Sequence, residues 1–383
     1  MASRLTGRAG LRRAAAASSL VAVAAWATVD VYRIPSVSME PALHGPGAYE
    51  DRVVVLPPIR EPRRYDVVCF GRPHEDRTFV KRIVGLPGER IRIIEGDVFV
   101  DGAVLRKDRI AWERLRAPLH DSRLHEPADF WSLTGPWRVH KGGVLRLSAR
   151  HAARSDPTTI ANRLPLHDNY IDQDGRVKAG RIPVHDLALR VDVVPTTDGG
   201  RIEFALQEGG DLFSFVFNRN KGVFRLTRTI ESRTMVLAES PFEWPTGELR
   251  QVEISNVDDS LGALVDGEPM VPLYAYKGNS PFAARRESRG VVIRSVASVR
   301  MSAHGLDLDI PWHAVFRDLH YTGDGRFAVE DALHLGDDEY FLLGDNSPAP
   351  HSYDSRYWGP VPRRDFAGLA VAVVFPFSQM RWL

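Results

Sequence analysis

Three residues near the amino terminus have the types and spacing for chemistry on a carbonyl. Ser36 and Ser38 lie in Ile34-Pro-Ser-Val-Ser-Met-Glu-Pro41, and Lys81 lies in Phe79-Val-Lys-Arg-Ile-Val-Gly-Leu-Pro-Gly88. A serine hydroxyl is a weak nucleophile until a base takes its proton. A lysine serves as that base only when burial destabilises its ammonium and lowers its pKa. Lys81 has Phe79 and Val80 before it and Ile83 and Val84 after it, so its neighbourhood is apolar. Serine and lysine together make a complete nucleophile–base pair. The bland alternatives are that the serines cap a turn after Pro35 and that Lys81 extends to water from a strand edge.

The elements that must position these residues read as short strands. Arg52–Leu56, Asp66–Phe70, Phe79–Val84 and Ile91–Ile94 are rich in β-branched and aromatic residues. Glu95-Gly-Asp97 and Asp101-Gly102 read as turns around Val98–Val100. From residue 106 to about 330 the texture changes to many strand-like runs between Gly, Pro, Asn and Asp clusters. Gly143–Ser148, Leu187–Val194, Arg201–Leu206, Leu212–Phe217 and Gln251–Ser255 are examples, continued by Gly290–Ser295 and Ala314–Tyr321. Several alternate apolar and polar residues, as strands with one wet face do. Such a series predicts a β-sandwich or jelly roll. The first texture returns at about 331, with Glu339–Leu343, a Gly344-Asp-Asn346 turn and the apolar run Gly368–Phe375.

The chain of 383 residues is long enough for two domains plus extras. Its 50 basic and 49 acidic residues nearly cancel, which leaves no bulk field to attract nucleic acid. One cysteine, Cys69, excludes an intrachain disulfide and cysteine-based metal sites, and its apolar run marks it as a small core residue. The 13 histidines show no zinc spacing. Asp172-Gln-Asp-Gly175 has part of a calcium loop and lacks its other ligands, so it reads as a turn. Trp112, Trp131, Trp137, Trp244 and Trp312 could stack on sugars or pack a sandwich.

Arg4, Arg8, Arg12 and Arg13 precede an apolar segment, Ala14 to Val31, whose single charge is Asp30. As a helix it reaches roughly 27 Å, barely a bilayer core. It reads as a retained membrane anchor with the arginines cytoplasmic and the rest of the chain outside. A cleaved secretory signal, with Ala25-Trp-Ala27 as its site, and a buried amphipathic helix are the competing readings.

Four ordered blocks resemble the type I signal peptidases, membrane-bound serine–lysine endopeptidases. They are Pro35–Pro41, Tyr65–Phe70, Phe79–Glu89, and Gly344-Asp-Asn346 with Ser352-Tyr-Asp-Ser-Arg-Tyr-Trp-Gly-Pro-Val-Pro362. The resemblance covers about 34 to 105 and 331 to 383. It implies a β catalytic domain behind one transmembrane helix. The interrupting region is larger than the second domain usual in that family, and its strand pattern alone gives it a separate, weaker resemblance to a lectin- or laminin-G-like β-sandwich, so the expected fold is mainly β. The expected division is an amino-terminal region and anchor at 1–33, catalytic parts at 34–110 and 331–383, and the inserted sandwich at 111–330.

By position, the resemblance makes Ser38 the nucleophile and Lys81 the general base. Ser36 would join the Ser38 amide in the oxyanion hole. Ser352 would hydrogen-bond and orient Lys81, while Asp345, Asp354 and Arg356 brace the site. The Asp345 and Asp354 positions also suit ordinary turn aspartates. The stretch Ser347-Pro-Ala-Pro-His351 makes the spacing before Ser352 longer than usual, leaving Ser347 and Ser355 as substitutes. The implied activity is removal of signal peptides from exported preproteins after small residues, through an acyl-enzyme, on the extracytoplasmic side of the cytoplasmic membrane. The lipid bilayer is an implied partner, and no metal or organic cofactor is implied. The alternatives are a catalytically inactive membrane-tethered binding protein, or a carbohydrate-binding or -processing protein acting through the sandwich, whose ligand is open.

Overall fold

A computed structural model describes residues 30–47, 50–57, 60–149, 158–276, 298–348 and 351–383. The candidate anchor lies outside these residues except for Asp30 and Val31, which belong to a strand, Asp30–Arg33. Among the described residues no helix is long and apolar enough to cross a membrane. The expected strand Gly290–Ser295 also lies outside them. The fold is mainly β, as the alternating and β-branched runs predict.

The chain divides into two compact units. The first comprises residues up to Ile93, Val100–Gly102 and Gly323–Leu383, and the second Ile94–Phe99 and Ala103–Thr322. The changes of unit come somewhat before the expected 110 and 331. The early one has a visible cause: Gly96 already bridges to Tyr321.

The first unit is built on one antiparallel sheet. Its strands run in the order Asp30–Arg33, Arg52–Leu56, Phe366–Phe375, Val67–Arg72, Glu75–Gly85, Glu339–Leu343, Val361–Pro362. Sequence-distant ends thus meet at the sheet centre, where the strand at 366–375 pairs with both 52–56 and 67–72. Alternate residues feed two apolar clusters. Val67, Cys69 and Val80 join Ile34, Met39 and Leu43, while Val68, Phe70 and Phe79 join Tyr340, Leu342 and Phe366. Burial on both faces explains why Val67–Phe70 reads as a continuous apolar run instead of an alternating one. Cys69 is wholly buried, and burial pushes its thiol up to about 12.

The second unit has two sheets that share one core. One contains the neighbouring strands Arg250–Val257, Leu187–Pro195 and Asp307–Arg317, and the other Ser298–His304, Arg201–Glu208, Asp211–Asn218 and Val223–Ile230. Leu187, Val191 and Ile254 of the first meet Phe204, Phe213, Phe215 and Phe217 of the second in a single apolar cluster. The strand expected at 314–321 starts earlier and ends at Arg317. A short helix, Arg109–Leu115, capped by the Asp108 carboxylate on the Ala111 amide, has too few turns to have shown a helical period. All five tryptophans named above are buried, so packing claims them. Asp172 Oδ1 accepts the Asp174 and Arg176 amides at 2.9 Å each, which is a turn.

Candidate active site

The site lies within the first unit. Ser38 sits on a single 3₁₀ turn, Val37–Met39, that follows the extended Ser36. Met39 anchors the turn by burial in the apolar cluster, and Ser38 itself is 5% exposed. Lys81 comes from the long strand Glu75–Gly85, where it registers opposite Val68. The two side chains, 43 positions apart, meet: Lys81 Nζ lies 2.7 Å from Ser38 Oγ. A second contact, to the Val80 carbonyl at 3.1 Å, fixes the amine. Ser36, exposed at the rim, donates to Ser38 Oγ at 3.1 Å.

Burial lowers the Lys81 pKa to about 8. Asp354 and Asp345 pull it back up, and Arg356 and Arg77 oppose them. The outcome is an amine substantially neutral in mildly alkaline solution. When charged, Lys81 donates to Ser38. When neutral, the same contact lets the Ser38 hydroxyl donate to the amine lone pair, the arrangement a general base needs.

The last sequence block forms the bracing. Arg356 donates to both oxygens of Asp354, Nε to Oδ1 at 2.9 Å and Nη2 to Oδ2 at 2.8 Å, and both residues are fully buried. Burial raises the Asp354 pKa, but the Arg356 hydrogen bond and charge, with hydrogen bonds from Ser352 and the Gly344 amide, together outweigh it and the net shift is downward. Asp345 takes a fork-like pair of hydrogen bonds from Arg82, Nε at 2.7 Å and Nη2 at 2.5 Å, beside Lys81 on the same strand. Such buried, satisfied ion pairs hold geometry even where they add little stability.

Ser352 departs from the role the resemblance implies. Its hydroxyl donates to Asp354 Oδ2 at 2.6 Å, and no hydrogen bond joins it to Lys81. The substitutes are engaged elsewhere: Ser347 Oγ accepts from Arg356 Nη1 at 2.7 Å, and Ser355 Oγ accepts the Leu342 amide at 2.9 Å. Ser352 nonetheless stays at the site, since a Cβ built on Gly344 would fall 2.2 Å from its Oγ and 2.6 Å from the Ser38 carbonyl oxygen.

Two contributors escaped the sequence reading. Asn346 donates its backbone amide to the Ser38 carbonyl and its side-chain amide to the Val37 carbonyl, both at 3.1 Å, clamping the turn that carries the serine. Arg82 ties the base strand to Asp345. Both stood inside the quoted blocks, but nothing in their type marked them beyond an ordinary turn asparagine and a surface arginine.

Comparison with known proteins places this geometry in context. A family model described as signal peptidase, peptidase S26, matches residues 9–156 and 313–375. A probable signal peptidase I-2 of Synechocystis sp. is 36% identical over 87 residues, 20% of this chain and 38% of the relative. A signal peptidase I of Leptolyngbya laminosa is 33% identical over 126 residues, 30% of this chain and 52% of the relative. The matched stretches thus span about 38% to 52% of these curated relatives. Among solved structures, a Bacillus subtilis protein of unknown function with a galectin-like fold aligns with 53% of this chain and 97% of its own. That alignment has 11% identity and a TM-score of 0.37, and nothing further is built on it.

Proposed function

This chain belongs to the signal peptidase family, peptidase S26, and from that premise we propose that it is a serine endopeptidase removing signal peptides from exported preproteins. The observation that carries the reading is the 2.7 Å contact between Ser38 Oγ and a buried Lys81 Nζ. Neutral Lys81 takes the Ser38 proton as Oγ attacks the scissile carbonyl carbon. The tetrahedral oxyanion is held by the Ser36 hydroxyl and the Ser38 amide. Lys81 then returns the proton to the leaving amine, the C–N bond breaks, and an acyl ester remains on Ser38. Water attacks that ester with Lys81 again taking the proton. The C–Oγ bond breaks, Lys81 returns that proton to Ser38 Oγ, and the product carboxylate leaves.

The proposed setting is the cytoplasmic membrane, with the amino terminus cytoplasmic and the site extracytoplasmic. The arginines before the apolar segment support that orientation. Exposed Phe377, Met380 and Trp382 support contact of the first unit with lipid.

The test is cleavage of a model preprotein by the detergent-solubilised chain and by Ser38→Ala and Lys81→Ala. Wild type cuts, and each variant loses at least about 10⁴-fold in kcat/KM while keeping its β circular dichroism. A Ser38→Ala protein that still cuts would sink the assignment.

A further inference from the structure

In the mechanism above the Ser36 hydroxyl is an oxyanion donor, and such a donor works only when its position is fixed beforehand. Ser36 is exposed and extended, and its hydroxyl bonds Ser38 Oγ. Asn346 clamps the carbonyls of Val37 and Ser38, which leaves the Ser36 carbonyl outside its grip. That carbonyl is backed instead by Gly45. A Cβ built on this buried glycine would fall 2.3 Å from the Ser36 carbonyl oxygen and 2.9 Å from the Val37 nitrogen. A residue without a side chain lets the loop that follows the nucleophile come this close.

Gly45 is in turn held through Asp51, which is fully buried. The Asp51 amide donates to the His44 carbonyl at 3.0 Å, and Asp51 Oδ2 accepts the His44 amide at 3.0 Å. The Asp51 carbonyl accepts the Ile34 amide, also at 3.0 Å. One residue thus ties positions 34 and 44 together, and the segment between them carries Ser36 and Ser38. Arg381 donates to Asp51 Oδ2 at 3.2 Å and to the Ala42 carbonyl at 2.5 Å. The Gly45 amide reaches Glu40 Oε1 at 3.4 Å. Burial would raise the Asp51 carboxyl, but the His44 ring and amide, with the Arg381 charge, hold it below its ordinary value. Asp51 is therefore ionised at neutral pH, and the bonds to its carboxylate are charge-assisted.

We infer that Gly45 and Asp51 are positioning residues of the oxyanion hole: they fix the Ser36 backbone and so aim its hydroxyl at the developing negative charge. The inference rests on the peptidase reading and adds to it the part that holds the donor in place. A donor stabilises the oxyanion only from about 3 Å away, so a small displacement of Ser36 weakens it. Ser38 is shielded from the same displacement, because Asn346 holds the carbonyls of Val37 and Ser38 and Met39 is buried in the apolar cluster. Disturbing Gly45 or Asp51 therefore removes the contribution of Ser36 and leaves proton transfer between Ser38 and Lys81 intact.

The experiment measures kcat and KM on a model preprotein, with the full chain in detergent, for Gly45→Ala, Ser36→Ala and the two together. Gly45→Ala is expected to lower kcat about 30-fold, with KM and the pH midpoint of activity unchanged, since the interaction lost is made only in the transition state. With Ser36→Ala in place, the same change costs less than about threefold, because the donor it misplaces is already gone. Gly47→Ala, in the same loop, leaves kcat unchanged, since a Cβ there meets only the Gly45 carbonyl oxygen, at 3.9 Å. Asp51→Asn keeps the side-chain shape and serves if Gly45→Ala does not fold. It is expected to lower kcat about fivefold, and only while Ser36 is present. Losses from Gly45→Ala or Asp51→Asn that are equal with and without Ser36, or no loss at all, would overturn the inference and leave the peptidase reading standing. So would a loss from Gly47→Ala as large as that from Gly45→Ala. A wild type that cuts no preprotein overturns both.

Discussion

Lys81 holds a position that ordinary lysines avoid, and its chemistry follows from that. Its folded pKa of about 8 stands below the ordinary 10.5 because of burial. The charged form is therefore favoured in the unfolded chain. Lys81 costs stability below about pH 8, and the cost fades as pH rises toward 10.5. Activity has the same sign, because the base must be neutral. The predicted kcat/KM on a model preprotein rises about tenfold per pH unit below the Lys81 value and levels off above it. A profile flat from neutral to alkaline pH would remove Lys81 from the base role. The pairing of Ser38 with Lys81 as nucleophile and base was legible from residue type, apolar flanks and the family resemblance, while their contact was seen only in the fold. The destination of the Ser352 hydroxyl was not, because it depends on where folding puts the Asp354 carboxylate.

At the scale of elements, the site depends on a loop pressed against a turn. Gly344 ends the strand Glu339–Leu343, and Asn346 holds the carbonyls of Val37 and Ser38. Gly344 has no room for a side chain, since its Cβ would press on Ser352 and on the Ser38 backbone. Gly344→Ala is expected to lower kcat/KM about 100-fold through misplacement of the nucleophile. The change should fall mainly on kcat, with the β circular dichroism retained. A variant with unchanged kcat would show that this loop does not position Ser38. Strands were legible wherever their side chains alternate or are β-branched: Arg52–Leu56 and Glu339–Leu343 stand where the residues put them. Pairing order was not legible. Nothing local in Phe366–Phe375 says that it lies between 52–56 and 67–72, since that choice is made by packing across the whole sheet.

For the whole molecule, the mainly β class and the change of texture inside the chain were legible, while the cluster formed by Asp97, Asp186 and Asp258 was not. Its aspartates are scattered through the sequence and meet only because three strands end side by side. The proposed membrane setting has its own test. Phe377, Met380 and Trp382 are 79%, 59% and 83% exposed, and Arg381–Trp382 pairs with the central strand of the first unit. Replacing all three by Ser should lower cleavage of vesicle-embedded preprotein at least about tenfold, given the apolar area withdrawn from lipid. Cleavage of a soluble peptide should be unchanged. Equal losses on both substrates would point to a structural role for these side chains.

Cys69 has a practical consequence. It is the chain's one thiol, and it is sealed inside the sheet with little thiolate at neutral pH. A cysteine introduced at the exposed Tyr353 would therefore be the one group that a maleimide dye reaches. The native chain already serves as a background for site-selective fluorescent labelling, and the arrival of a substrate near Ser352 can be followed optically without first removing a sulfur.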